Sequence, residues 1–164
     1  MKHILVLLFS LLTSVVCLAQ GHHHFLLKDS TQSYVRLLFA GDAMQHSTQY
    51  KWAWNQQTRT YDYEPNFRYL RPYLAQADIN IVNFETTLSG APYAGYPKFR
   101  TPDAFLDALS DAGFQVFALA NNHVLDGDKK GFARTIKKLS PYPYIGAYMD
   151  TMQRSQKYPL IFHI

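Results

Sequence analysis

Three apolar runs in this chain each stop abruptly at groups that bind cations or move protons. Leu37-Leu38-Phe39-Ala40-Gly41 runs into Asp42, and Ile79-Asn80-Ile81-Val82-Asn83-Phe84 runs into Glu85. Val116-Phe117-Ala118-Leu119-Ala120 stops at Asn121-Asn122-His123, with Asp126 three residues after the imidazole. A short run of this kind, apolar on both faces, is the signature of a strand covered on both sides in a parallel sheet. Ligands of open α/β sheets gather outside the carboxyl ends of the strands. Three such ends therefore bring Asp42, Glu85, Asn122 and His123 together, and we read them as part of a metal site.

The segments between the runs supply the crossovers. Phe67, Leu70, Arg71 and Leu74 fall at helical spacing, with Pro72 bending or delaying the helix. Thr101-Pro102-Asp103 reads as a helix start with Thr101 as cap, and Phe105, Leu109 and Ala112 form its apolar face up to a stop at Gly113. Phe132, Ile136 and Leu139 mark a further helix closed by Pro141. The predicted strands are Tyr34–Ala40, Ile79–Phe84, Gln115–Ala120, one opening at Tyr144-Ile145-Gly146, and a fifth over Pro159–Ile164. Strand alternating with helix predicts an α/β fold with a mostly parallel sheet. Gln49–Tyr63, crowded with Tyr50, Trp52, Trp54, Tyr61 and Tyr63, is expected to be a loop walling the site.

The first 19 residues are expected to be a cleaved signal peptide. Lys2 and His3 precede an apolar run, Ile4 to Leu18, which ends at Ala19. Removing it from 164 residues leaves 145, enough for one domain, and lowers the net charge from +4 to +3. Residues 20–33, with His22, His23 and His24, read as a flexible leader. The only cysteine, Cys17, lies in the signal, which excludes disulfides and thiolate metal sites from the mature chain. No run of Lys or Arg forms a stripe suited to nucleic acid.

Carboxylate, amide and imidazole ligands suit Mn, Zn or Fe. His123 is placed to protonate a leaving group, and Asp126 to orient its imidazole from behind. Four segments, in order, carry a family resemblance: Phe39-Ala40-Gly41-Asp42-Ala43-Met44, Asn83-Phe84-Glu85-Thr86-Thr87-Leu88, Phe99-Arg100-Thr101-Pro102, and Leu119 through Gly127. They resemble the CapA-type proteins of bacterial capsule and poly-γ-glutamate synthesis, which are similar to calcineurin-like metallophosphoesterases.

The resemblance implies the N-terminal portion of an α/β sandwich, with Asp42, Glu85 and Asn122 as ligands of one or two divalent metal ions (Mn, Zn or Fe) and His123 as the catalytic histidine. It implies an exported hydrolase acting on an anionic polymer or phosphoester and working with capsule-synthesis membrane proteins. A non-catalytic binding subunit and an inactive fragment are the alternatives. Met44 stands where metallophosphoesterases carry a histidine, so His46 is a displaced candidate ligand, and Glu85 replaces an aspartate. Arg100 is a candidate substrate contact. The run at the C-terminus and the few histidines lead us to expect a domain truncated over 34–164.

Overall fold

A computed structural model describes residues 33–163. The expected signal peptide, all of the expected leader but Ser33, and the final residue of the expected fifth strand lie outside the described residues. Four parallel strands form the sheet: β1 (Leu37–Ala43), β4 (Ile79–Phe84), β5 (Val116–Ala118) and β6 (Tyr144–Ile145), in the order β1-β4-β5-β6. Each strand thus pairs with the next along the sheet in one direction. A right-handed crossover at each step carries every connecting helix to the same face. These helices are α1 (Ser47–Ala53), α2 (Glu64–Phe67) and α3 (Arg71–Leu74) before β4, α4 (Asp103–Ala112) before β5, and α5 (Asp128–Leu139) before β6. A last helix, α6 (Thr151–Lys157), follows β6.

The two faces of the sheet differ. Residues paired in parallel strands share a face, and neighbours along a strand alternate. Leu38, Ala40 and Ala43 therefore share one face with Asn80, Val82, Phe84 and Phe117. This face is the core: Val82, Phe84 and Phe117 are buried, and Phe84 packs on Phe105 of α4 with ring centroids 6.5 Å apart. Ile136 and Leu139 of α5 belong to the same cluster. The other face carries Leu37, Phe39, Ile79 and Ile81. Leu37 is 49% exposed and Phe39 70%, and Ile79 and Ile81 are half-buried.

Several expectations need correction. The first strand begins at Leu37, because pairing starts where β4 starts, Leu37 against Ile79, and it continues through Asp42 to Ala43. The third strand is shorter than expected, Val116–Ala118. The aromatic stretch is not a loop. It folds into α1 and a hairpin of β2 (Trp54–Asn55) and β3 (Thr60–Tyr61), whose Trp54 and Tyr61 rings lie 4.9 Å apart. Asn55 holds the turn by accepting from the backbone N–H groups of Gln57 at 2.9 Å and Thr58 at 3.1 Å.

The helix around Phe67–Leu74 divides into α2 and α3, each with a proline in its first turn, where the missing N–H costs nothing. Thr101 does not cap α4; Pro102 occupies that position, and the buried Thr101 hydroxyl donates to Gln45 Oε1 at 2.5 Å. Gly113 does end α4, at φ 121°, a conformation that favours glycine. Pro159–His163 forms no strand, and Ile161 is 68% exposed.

Candidate active site

The acids meet on the open face, at the carboxyl end of the sheet, and a break in register is what puts Asp42 there. Pairing runs without interruption from Leu37–Ile79 to Ala40–Val82, then shifts so that Asp42, not Gly41, lies opposite Asn83. An unbroken register would set Asp42 against Phe84, on the face that the helices cover. The extra residue, Gly41, is a β-bulge that re-aims the carboxylate. Asn83 and Glu85 are two residues apart at the end of β4 and point the same way. The Glu85 backbone N–H donates to the Ala43 carbonyl at 3.1 Å, continuing the ladder one residue past β4.

One amide joins the two acids. Asn83 Nδ2 donates to Asp42 Oδ1 at 2.7 Å and to Glu85 Oε2 at 2.7 Å. Asn83 Oδ1 accepts from Asn121 Nδ2 at 3.1 Å. Asn121 Nδ2 also donates to the Phe84 carbonyl at 3.1 Å, and its Oδ1 accepts from the His123 backbone N–H at 3.1 Å. Burial, then the Asp42 carboxylate beside it, push the Glu85 carboxyl above the usual range, and His123 and Asn83 offset only part of that.

His123 sits between acids. Its Nδ1 lies 2.7 Å from Asp126 Oδ2, and its Nε2 lies 3.8 Å from Glu85 Oε1. With Nδ1–H donated to Asp126, Nε2 is the atom left to act on a substrate. The imidazole retains 16% of its side-chain exposure, enough to be reached. Asp126 Oδ2 also accepts from the Phe99 backbone N–H at 2.5 Å. This draws the 93–100 loop onto the site, and the Phe99 ring packs edge-on against His123 at 4.6 Å.

The remaining candidates are less closely joined. Asn122 is exposed, and among the described residues no hydrogen bond joins its side chain to Asp42, Glu85 or His123. His46 caps the start of α1 and is exposed. Its ring meets the same Phe99 edge-on at 5.3 Å, and among the described residues no hydrogen bond or ion pair joins it to Asp42 or Glu85. Arg100 pairs through its backbone with Ala94, both bonds at 2.9 Å, while its Nε is buried without a partner among the described residues. No ion pair ties Arg100 to the acids. Sequence reasoning passed over Asn83, Asn121 and Phe99. For Asn83 a signal was present: an amide inside an apolar strand, two residues before Glu85, must share its face.

The donors fit one hard divalent cation. Two adjacent carboxylates, one of them disfavoured as an anion, form a site with excess negative charge, and their oxygens with an amide oxygen suit a hard ion. Among the described residues no three His, Cys, Asp or Glu side chains converge as a ligand group.

Comparison with known proteins bears on the family. The family model for the bacterial capsule synthesis protein PGA_cap matches residues 36–164. The capsule biosynthesis protein CapA of Bacillus anthracis is 35% identical over 89 residues, which cover 49% of this chain and 22% of that protein. The chain thus spans less than two thirds of that relative's length. The match covers more than half of the chain, and on it the chain belongs to the bacterial capsule synthesis protein family PGA_cap.

Proposed function

We propose that this protein is an exported, metal-dependent hydrolase of capsule or poly-γ-glutamate production, acting on a phosphoester or on an anionic polymer. The observation that carries the reading is the acid pair: Asp42 and Glu85 held by one amide, beside an imidazole whose far nitrogen is backed by Asp126. Asp42, Glu85 and Asn122 would hold the ion. A divalent ion bound there would supply Lewis-acid polarisation of a substrate oxygen and a more acidic water.

The chain's own residues do the rest. Asp126 fixes the orientation of the His123 ring, with Nδ1 turned to the carboxylate. His123 Nε2, directed toward Glu85, delivers a proton to the departing atom, the ester oxygen of a phosphoester or the amide nitrogen of a γ-linked polymer. Phe99 covers one side of the imidazole and limits the water that reaches it. Assaying the purified chain with Mn2+ on a generic aryl phosphoester and on poly-γ-glutamate tests the reading: activity lost in both Glu85→Gln and His123→Ala supports it. Activity unchanged in either variant would reject it.

The second reading, on the same fold, is a non-catalytic subunit that binds polymer or capsule-synthesis membrane proteins. In that case Glu85→Gln leaves binding to immobilised polymer unchanged, and no hydrolysis accompanies it.

A further inference from the structure

Asn83 is the most fully used side chain in the site. An asparagine amide has two N–H donors and one carbonyl oxygen. At Asn83 both donors are taken by carboxylates, at 2.7 Å each, and the oxygen is taken by Asn121 at 3.1 Å. Turned over, the amide would set its oxygen against two carboxylates and its nitrogen against the Asn121 nitrogen, so its orientation is fixed by its partners. Asn121 is fixed likewise, by the Phe84 carbonyl and the His123 N–H.

We propose that Asn83 is a positioning residue for the divalent cation, and that Asn121 acts on the cation only through it. The proposal rests on the metal reading above. Two carboxylates side by side repel, and each rotates about its last bond. By donating one N–H to each, Asn83 screens the repulsion and fixes both carboxylate planes before the ion arrives. It occupies Asp42 Oδ1 and Glu85 Oε2, leaving Asp42 Oδ2 and Glu85 Oε1 outside its grip. Partners that orient metal ligands in this way change affinity about 10–100-fold when removed. Nothing else among the described residues donates to either carboxylate except His123, whose Nε2 is 3.8 Å from Glu85, too far for a hydrogen bond.

The test is Mn2+ binding to the full chain, read from the free-ion electron paramagnetic resonance signal, with the thermal midpoint measured on each sample. Asn83→Ala is expected to weaken Mn2+ binding about 10–100-fold while changing the midpoint by only a few degrees. Asn83→Ser, too short to reach both carboxylates, is expected to do the same, and it serves if the alanine variant does not fold. Asn121→Ala weakens binding too, and Asn83→Ala/Asn121→Ala is no weaker than Asn83→Ala alone, because both changes break the same relay.

Mn2+ affinity at the wild-type level in folded Asn83→Ala or Asn83→Ser, with affinity lost in Glu85→Gln, overturns the positioning role and leaves the metal reading standing. Additive losses in the double variant overturn the relay through Asn121. If the wild-type chain binds no Mn2+ at all, the metal reading fails and the proposal fails with it.

Discussion

Asn80 and Asn83 lie three residues apart on the same strand, and they belong to different worlds. Asn80 points into the helix-covered face, 3% exposed, and its Nδ2 donates to the carbonyls of Leu74 and Gly113, both at 2.9 Å. It ties the ends of α3 and α4 to the sheet. Asn83 points to the open face and ties two acids to each other. The same side chain on the two faces does opposite jobs: on one it satisfies backbone groups that water cannot reach, on the other it arranges charges that water can. The difference shows how a sheet whose crossover helices share one side separates the energy of folding from the chemistry of the site.

The comparison would break most visibly through the aromatic residues. Phe117 is fully buried beneath the helices and Phe39 is 70% exposed on the open face. Phe117→Ala should cost about 3–5 kcal/mol, and Phe39→Ala no more than about 0.5 kcal/mol, both from urea denaturation. A Phe39→Ala loss as large as that of Phe117→Ala would show that the second face is covered in solution.

Next in size is Asn80→Ala, which strands two carbonyls at the ends of α3 and α4. About 1–3 kcal/mol of stability should be lost, with Mn2+ affinity in the folded protein unchanged. Loss of affinity would mean that the two faces are coupled through β4.

The strands and the acids were legible in the sequence for one reason. An apolar run that stops at a charge is readable without any partner. The helices of α4 and α5 were legible through the spacing of Phe105, Leu109 and Ala112 and of Phe132, Ile136 and Leu139. What was not legible depended on pairing between distant segments. The shift that places Asp42 against Asn83 instead of Phe84 is a property of two strands, and one strand read alone does not contain it. The hairpin of Trp54 and Tyr61 was hidden for the same reason, since each strand is only two residues long. Pro159–Ile164 failed in the opposite direction: an apolar run was read as a strand, but among the described residues no sheet edge receives it.

The acid pair also makes a pH prediction. Burial and Asp42 hold the Glu85 carboxyl above its ordinary value of 4.5, so the folded state binds this proton more tightly than the unfolded state does. Stability from this group is therefore highest at low pH and falls as pH rises from about 4.5 through the raised value, then stays level. Glu85→Gln removes the fall. Without added metal the variant should be more stable than the wild type at pH 7, and the difference should shrink as pH drops toward 4.5 and stay level below it. Thermal midpoints across pH check it, and a Glu85→Gln protein less stable than the wild type at pH 7 would mean that the carboxylate is not in conflict with Asp42.

The smallest effect is expected at the bulge. A Cβ at Gly41 meets no atom within 4 Å, and its backbone is not in the left-handed region. Gly41→Ala should change stability by no more than about 0.5 kcal/mol and leave Mn2+ binding intact, so the bulge would rest on its register and not on glycine. A large loss of binding in Gly41→Ala would assign the aim of Asp42 to the glycine itself.

The central proposal is that Asp42 and Glu85 are ligands of a divalent cation. Equilibrium dialysis of the purified chain against Mn2+, followed by elemental analysis, measures it directly. About one ion per chain in the wild type, with none retained by Asp42→Asn or Glu85→Gln at the same concentration, is the result this account predicts. Equal retention by wild type and both variants, or none in any of them, would contradict it.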